Sequence, residues 1–172
     1  SEVLDDRSDV KDYTVSDVFC APFSFEYNSG ELSQLGIILK KEDALSRRVG
    51  RFEITEEGGS ESGIYLPMLY SRGNNYAVGD TLKITILGEE FEYAICGFFN
   101  SAMVGSHNCN MMSFLMTEDK FEEFSKGTAA LKSAYVSVRI KDVSRCEDIS
   151  AELKDTISRE FPNVVVTGND YK

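Results

Sequence analysis

Residues 64–99 read IYLPMLYSRGNNYAVGDTLKITILGEEFEYAICGFF, and this stretch decides the fold prediction. Apolar and polar residues alternate over 81–86 and again over 91–95, which is the two-residue period of strands with one solvent-facing side. Gly88 lies between the two runs and can supply the positive φ that a tight reversal needs. The stretch therefore predicts an antiparallel hairpin with one buried face.

The residues around this hairpin follow a distinctive order. A Leu-Pro pair comes first, a Val-Gly-Asp turn follows, and a Gly-Phe-Phe run ends the stretch. In the turn, Gly79 tolerates left-handed dihedrals and Asp80 can accept hydrogen bonds from nearby amides. This order resembles the extracytoplasmic domain of FtsX-like ABC transporter permeases, the group that includes the MacB-like exporters. The matching residues are Leu66, Pro67, Val78, Gly79, Asp80, Gly97 and Phe98.

The resemblance implies an α+β fold of the type found in the MacB-like periplasmic core, in which a mixed sheet carries helices on one face. It also implies two lobes. Residues 1–55 and 113–172 are expected to form a discontinuous α+β lobe, and residues 56–112 an inserted, mostly-β lobe.

The same resemblance implies a function without catalysis. Such a domain lies between transmembrane helices on the extracytoplasmic face of a bacterial membrane, binds a peptide or protein client, and moves when a separate cytoplasmic ATPase hydrolyses ATP. Members of the family, in which the permease can dimerise, serve export, peptide resistance, lipoprotein release or cell-wall hydrolase control. No cofactor is expected.

Composition agrees with a folded extracytoplasmic fragment. The 172 residues carry a formal net charge of -11, which would repel nucleic acid phosphates, so nucleic acid is not an expected partner. No apolar run is long enough to span a bilayer, and no signal peptide is evident at the N-terminus. We expect a soluble segment whose parent protein is embedded in the membrane.

Outside the hairpin, periodicity predicts a further set of strands and helices. Two points matter below: Pro22 is expected to interrupt the first strand region, and Ser144 with Glu147 forms a capping-box pattern before a helix that Pro162 stops. The predicted strands cover 10–27, 35–39, 113–116, 134–140 and 163–167, and the predicted helices cover 41–50, 118–125 and the segment after Ser144.

Candidates for chemistry are few. His107 and Cys109 lie two residues apart on one polar loop, whereas a catalytic Cys and His normally come from distant segments. Cys20 and Cys96 lie in apolar contexts that favour reduced, buried thiols, although a disulfide is an alternative. These residues predict no catalytic, metal or cofactor site.

Residues 98–112 are the main candidates for a partner contact. Apolar side chains in this segment are costly to leave in water, so either another part of the chain or a partner covers them. The candidate partner contacts are Phe99, Met103, Val104 and His107.

Two functions of other classes remain as alternatives. One is a secreted or surface hydrolase that uses Cys109 and His107. The other is a soluble peptide- or carbohydrate-binding module with no link to a membrane.

Overall fold

A computed structural model describes residues 2–47, 52–73, 76–101, 112–128 and 131–162. In this part of the chain, strands dominate and helices are short. The strands are β1 (Val10–Tyr27), β2 (Gly30–Lys40), β3 (Phe52–Glu57), β4 (Ile64–Pro67), β5 (Thr81–Ile86), β6 (Glu89–Ser101), β7 (Met112–Met116) and β8 (Leu131–Ile140). The helices are α1 (Glu2–Asp5), α2 (Lys41–Ser46), α3 (Leu69–Gly73), α4 (Glu118–Gly127) and α5 (Cys146–Glu160). The predicted α+β class is confirmed.

Six strands close on themselves. The order β2-β7-β4-β6-β5-β1 ends where it began, because β1 also pairs with β2. The β2–β7 and β4–β6 pairs are parallel, and the other pairs are antiparallel. We call these six strands the closed sheet; β8 pairs with β1 and β3 pairs with β6 outside the ring.

Tight turns fix the register of the two hairpins in this sheet. Asn28 and Ser29 both have positive φ and connect β1 to β2, while Leu87 and Gly88 do the same between β5 and β6. Two consecutive left-handed residues give the backbone twist that matches antiparallel strands. The predicted hairpin and its turn at Gly88 are confirmed.

Both faces of the closed sheet bury apolar side chains. All six strands contribute to an inner cluster, to which α4 adds Phe121 and Phe124 and α3 adds Tyr70. The outer cluster contains Ala44 of α2 and Phe52 of β3. Its remaining members are Val18, Ile37, Leu39, Tyr65, Cys96, Phe99 and Leu115. Helices α2 and α4 thus pack on opposite faces of the closed sheet. The prediction of helices on one face is wrong because the side chains on both sides of the strands are buried.

The strands of the two predicted lobes share this sheet. β4 and β5 lie within 56–112, yet β4 pairs with β7 and β5 pairs with β1, and both β7 and β1 belong to the flanking segments. The division into lobes at residues 56 and 112 therefore does not follow a gap in strand pairing, and it stays a prediction about folding units.

A two-stranded extension leaves the closed sheet where β1 continues beyond its pairing with β2. β2 pairs with β1 only from Val18 onward, whereas β8 pairs with β1 from Val10 to Cys20. We call residues 10–17 and 134–140 the ribbon. It connects the closed sheet to α1 and α5, the first and last described helices.

Two local predictions need correction, and the structure decides a third. β1 runs without interruption through Pro22, because this residue lies between the end of the β8 pairing and the start of the β5 pairing, where a missing amide costs no ladder bond. Asp142, not Ser144, caps the turn before α5: its carboxylate accepts a hydrogen bond from the Ser144 amide at 3.0 Å. Alternation over 134–140 predicts a strand with a single buried face on which Val136, Val138 and Ile140 lie together or from which they all point away, and in the structure Val136 is 43% exposed.

The predicted strand at 163–167 and the predicted helix end at Gly50 lie outside the described residues.

Candidate functional site

The Leu-Pro pair and the Gly-Phe-Phe run form neighbouring strands. β4 lies parallel to β6, with Leu66 opposite Phe98 and Pro67 opposite Phe99. Met68 extends this pairing, since its amide donates to the Phe99 carbonyl at 2.8 Å. Leu66 and Phe98 both point into the inner cluster and are completely buried.

The Val-Gly-Asp turn docks against the same strand. The Gly79 amide donates to the Ile95 carbonyl, and the Ile95 amide donates to the Asp80 carbonyl, each at 2.8 Å. The Asp80 carboxylate accepts a hydrogen bond from the Ala77 amide, also at 2.8 Å. Gly79 has a φ of +93°, which side-chain-bearing residues rarely adopt. The turn thus bonds to Ile95 of β6, two residues before Gly97.

Gly97 is required by close packing. A Cβ at this position would lie 2.2 Å from the Glu56 carbonyl oxygen and 2.9 Å from the ring of Tyr65. The backbone of β3 and the Tyr65 side chain therefore occupy the space of any larger residue. The motif residues that the sequence singled out come together as one structural unit around β6.

Candidate partner contacts have a mixed outcome. Phe99 is 1% exposed and packs against Phe52 with ring centroids 5.4 Å apart. Its role as a partner contact is corrected, because β3 covers it and intramolecular packing accounts for its burial. Met103, Val104 and His107 lie outside the described residues.

A shallow surface groove lies beside this segment. Met68, Leu69, Arg72 and Asn100 line it. Leu69 is 53% exposed, and Arg72 adds a positive charge at the rim. An apolar floor with one cation suits a protein or peptide contact better than a reaction centre.

A polar cluster that the sequence did not indicate lies on the outer face. Lys41 donates to the Tyr65 hydroxyl at 2.9 Å and to Glu57, and the Tyr65 hydroxyl donates to Glu57. The Lys41 ammonium also lies 4.7 Å from the centre of the Tyr65 ring. These residues come from α2, β3 and β4, so only the folded chain brings them together.

Electrostatics in this cluster favour a fixed ion pair. Hydrogen bonds from Lys41 and Tyr65 lower the pKa of Glu57, which keeps the carboxylate charged. Burial and the bond to Glu57 raise the pKa of Tyr65 to about 12, which keeps the phenol protonated. Burial lowers the pKa of Lys41, but the bonds to Glu57 and Tyr65 outweigh it, so the net pKa is raised. Each group holds its ordinary charge state, which is the behaviour of a structural cluster.

The described cysteines are not joined in disulfides. Cys20, Cys96 and Cys146 form no disulfide, and burial raises the pKa of both Cys20 and Cys96. A raised pKa disfavours the thiolate that a nucleophile needs. The Cys109 and His107 pair of the hydrolase alternative lies outside the described residues, so that alternative is untested.

Across residues 2–47, 52–73, 76–101, 112–128 and 131–162, no helix combines the length and apolar character needed to cross a bilayer.

Comparisons with known proteins give one kind of match. No family model and no curated protein matches the chain. Among solved structures, the chain is similar to the extracellular domain of the noncanonic ABC-type transporter YknZ from Gram-positive bacteria, with 11% identity and a TM-score of 0.47. The alignment covers 99% of this chain and 86% of that one.

Proposed function

We propose that the chain is a non-catalytic extracytoplasmic domain of an FtsX-like, MacB-like ABC transporter permease. In this proposal it binds a peptide or protein client outside the cell and couples that binding to a separate cytoplasmic ATPase. The transmembrane part of the permease, which can dimerise, would carry the coupling. The proposal begins from the motif resemblance and gains support from the geometry of the chain.

The observation that carries the proposal is the meeting of the first and last described elements at one end of the ribbon. Arg7 donates to Asp9 at 2.9 and 2.6 Å and reaches Glu152 of α5 at 2.7 Å. Beside this cluster, the Lys141 amide donates to the Asp9 carbonyl at 2.9 Å. A domain inserted between two membrane helices must leave and return on the same side, and this arrangement meets that requirement.

The motif residues support a binding domain rather than an enzyme. Gly97 serves packing, and Gly79 and Asp80 serve turn formation. The polar cluster of Lys41, Glu57 and Tyr65 is internally paired. Client binding would then use surface contacts, and a basic client would bind away from the groove at Leu69 and Arg72, whose one charged lining residue among those described is positive.

The net charge of the chain indicates which charge its client is expected to carry. With a net charge of -11, the surface attracts cations at long range and repels acidic partners. Client recognition by this domain is therefore expected to favour basic peptides or basic protein surfaces. The ATPase is expected to be a separate subunit, since the sequence carries no phosphate-binding glycine loop with its lysine.

Location is the first property to test in the full-length gene product. A protease site inserted between Leu87 and Gly88 lies in an exposed turn where nothing packs against the glycine. External protease should cleave this variant in intact cells, and both fragments should stay with the membrane fraction. The same site between Asn28 and Ser29, the other tight turn, serves as a matched control. Cleavage only after lysis, or release of the whole protein into the medium, would refute the proposal.

A further inference from the structure

Arg47 is a buried cation with an unusual set of contacts. It follows α2, is 2% exposed, and donates to the Ser16 hydroxyl at 3.1 Å and to the Ser137 hydroxyl. Its guanidinium lies 3.9 Å from the centre of the Tyr135 ring. Among the described residues the Asp43 carboxylate of α2 attracts the guanidinium without forming an ion pair with it, and the Arg47 Nε has no hydrogen-bond partner.

We call the arrangement in which Arg47 contacts the ribbon docked, and the one in which it is released undocked. Burial of Arg47 in the docked arrangement costs free energy. Removing a charge from water carries a penalty that neutral hydroxyls and a ring face offset only in part. A cation paired with a carboxylate would be held firmly, whereas Arg47 exchanges water for weaker partners. The free energies of the docked and undocked arrangements are therefore closer than for an ordinary buried ion pair.

Arg47 lies between the closed sheet and the ribbon, so the difference in free energy between the docked and undocked arrangements affects the position of the ribbon. Ser16 and Ser137 belong to the ribbon, and Arg47 follows α2, which packs in the outer cluster of the closed sheet. The ribbon leaves the closed sheet at Val18, where the pairing with β2 ends. Arg47 thus connects the end of α2 to the ribbon, next to the point where the pairing of β1 with β2 ends.

We propose that the contact of Arg47 with Ser16, Ser137 and Tyr135 is a releasable joint that sets the orientation of the ribbon relative to the closed sheet. This inference extends the proposed function, because the ribbon leads to α1 and α5, and Arg7, which follows α1, binds Glu152 of α5. Displacement of the chain ends would reach the closed sheet through this joint. Release moves Arg47 into water and frees the ribbon, and docking reverses both changes.

The joint can be tested on the 172-residue chain without client, membrane or ATPase. Arg47→Met keeps the length of the side chain but removes its donors, which leaves the buried Ser16 hydroxyl without the bond that Arg47 gives it. Amide hydrogen exchange should accelerate at least about tenfold in residues 10–17 and 134–140, with little change in β5 and β6, because local opening is set by local contacts. Residual dipolar couplings should show that the mean orientation of the ribbon relative to the closed sheet differs from that in the wild-type chain.

Control variants separate the joint from general stability. Arg72→Met changes an exposed arginine on α3 and should leave the ribbon unchanged. Arg47→Lys keeps the charge but loses the planar fork, and Ser137→Ala removes one acceptor, so both should loosen the ribbon less than Arg47→Met. These two variants also report on the joint if Arg47→Met does not fold.

Two results would overturn the inference. One is unchanged exchange and orientation of the ribbon in all three joint variants. The other is equal acceleration throughout β5, β6 and the ribbon, which would make Arg47 a general stability residue. Neither result bears on whether the parent protein is a permease, since no part of the experiment uses the membrane or the ATPase.

Discussion

Single residues in the motif act through the room that they leave for neighbouring groups and the backbone conformation that they allow, not through reactive side chains. Gly97 leaves room for the Glu56 carbonyl and the Tyr65 ring, and Gly79 allows a backbone conformation that other residues avoid. Asp80 ties its own turn together. A motif made of such residues preserves a local shape.

Gly97→Ala is expected to destabilise the chain by about 3 kcal/mol, since added volume in a packed site with backbone on one side cannot be relieved by rotamer changes. Chemical denaturation measures this change. Gly127→Ala, at the end of α4 with no atom within 4 Å, is the matched control and should change stability by less than about 0.5 kcal/mol. Equal effects of the two substitutions would contradict the packing role of Gly97.

Glu57 should give the chain a specific pH dependence. Its pKa is lowered from 4.5 by hydrogen bonds from Lys41 and Tyr65, so its contribution to folding is present above pH 4.5 and is lost as pH falls through the folded-state value. Wild type should therefore exceed Glu57→Gln in thermal stability near neutral pH. The difference should shrink as pH falls below 4.5, when followed by circular dichroism. A difference that grew on acidification would show that the sign is wrong.

At the scale of elements, local patterns predicted what depends on neighbours in sequence. The β5–β6 hairpin followed from alternation and Gly88, and α4 begins at Glu118 as predicted. Thr117 precedes α4, but its hydroxyl accepts from the Gly63 amide at 3.0 Å instead of capping the helix. That bond joins residues 54 positions apart, and no local pattern reports it.

Long-range pairing explains what local patterns missed. Pro22 continues a strand because two different partners, β8 and β5, meet beside it. Val136 is exposed because Arg47 from a distant segment covers the opposite face of the ribbon. The closure of β1 onto β2 and the parallel β4–β6 pair likewise depend on contacts that alternation cannot order along the chain.

The β1–β2 turn offers a test of element geometry. Ser29 has a φ of +61°, a region that costs residues with a Cβ about 1 kcal/mol, so Ser29→Gly should stabilise the chain by up to that amount. Ser24→Gly, within β1, should instead destabilise it by about 0.5–1 kcal/mol, because glycine weakens a strand interior. Denaturant midpoints of the two variants on either side of wild type would confirm the turn. Destabilisation by Ser29→Gly would contradict it.

At the scale of the whole molecule, a closed sheet carries a ribbon that leads to both described ends of the chain. The inner cluster draws on all six strands of the ring, including strands from both predicted lobes. The ribbon is fixed to the ring by β1 itself and by Arg47. This plan separates a ring of six strands from an arm that leads to α1 and α5.

The shared inner cluster predicts one cooperative unfolding transition for the closed sheet. Tyrosine fluorescence and far-ultraviolet circular dichroism should give coincident denaturation curves. Two separated transitions, with residues 56–112 losing amide protection before the flanking strands, would instead support the predicted lobes as independent folding units.

The central claim is that this domain belongs to a membrane permease, and the most direct measurement is the sequence of the full-length gene on either side of residues 1–172. The account predicts an apolar segment of about 20 residues on each side, long enough to cross a bilayer as a helix. Hydrophilic sequence on both sides would contradict it.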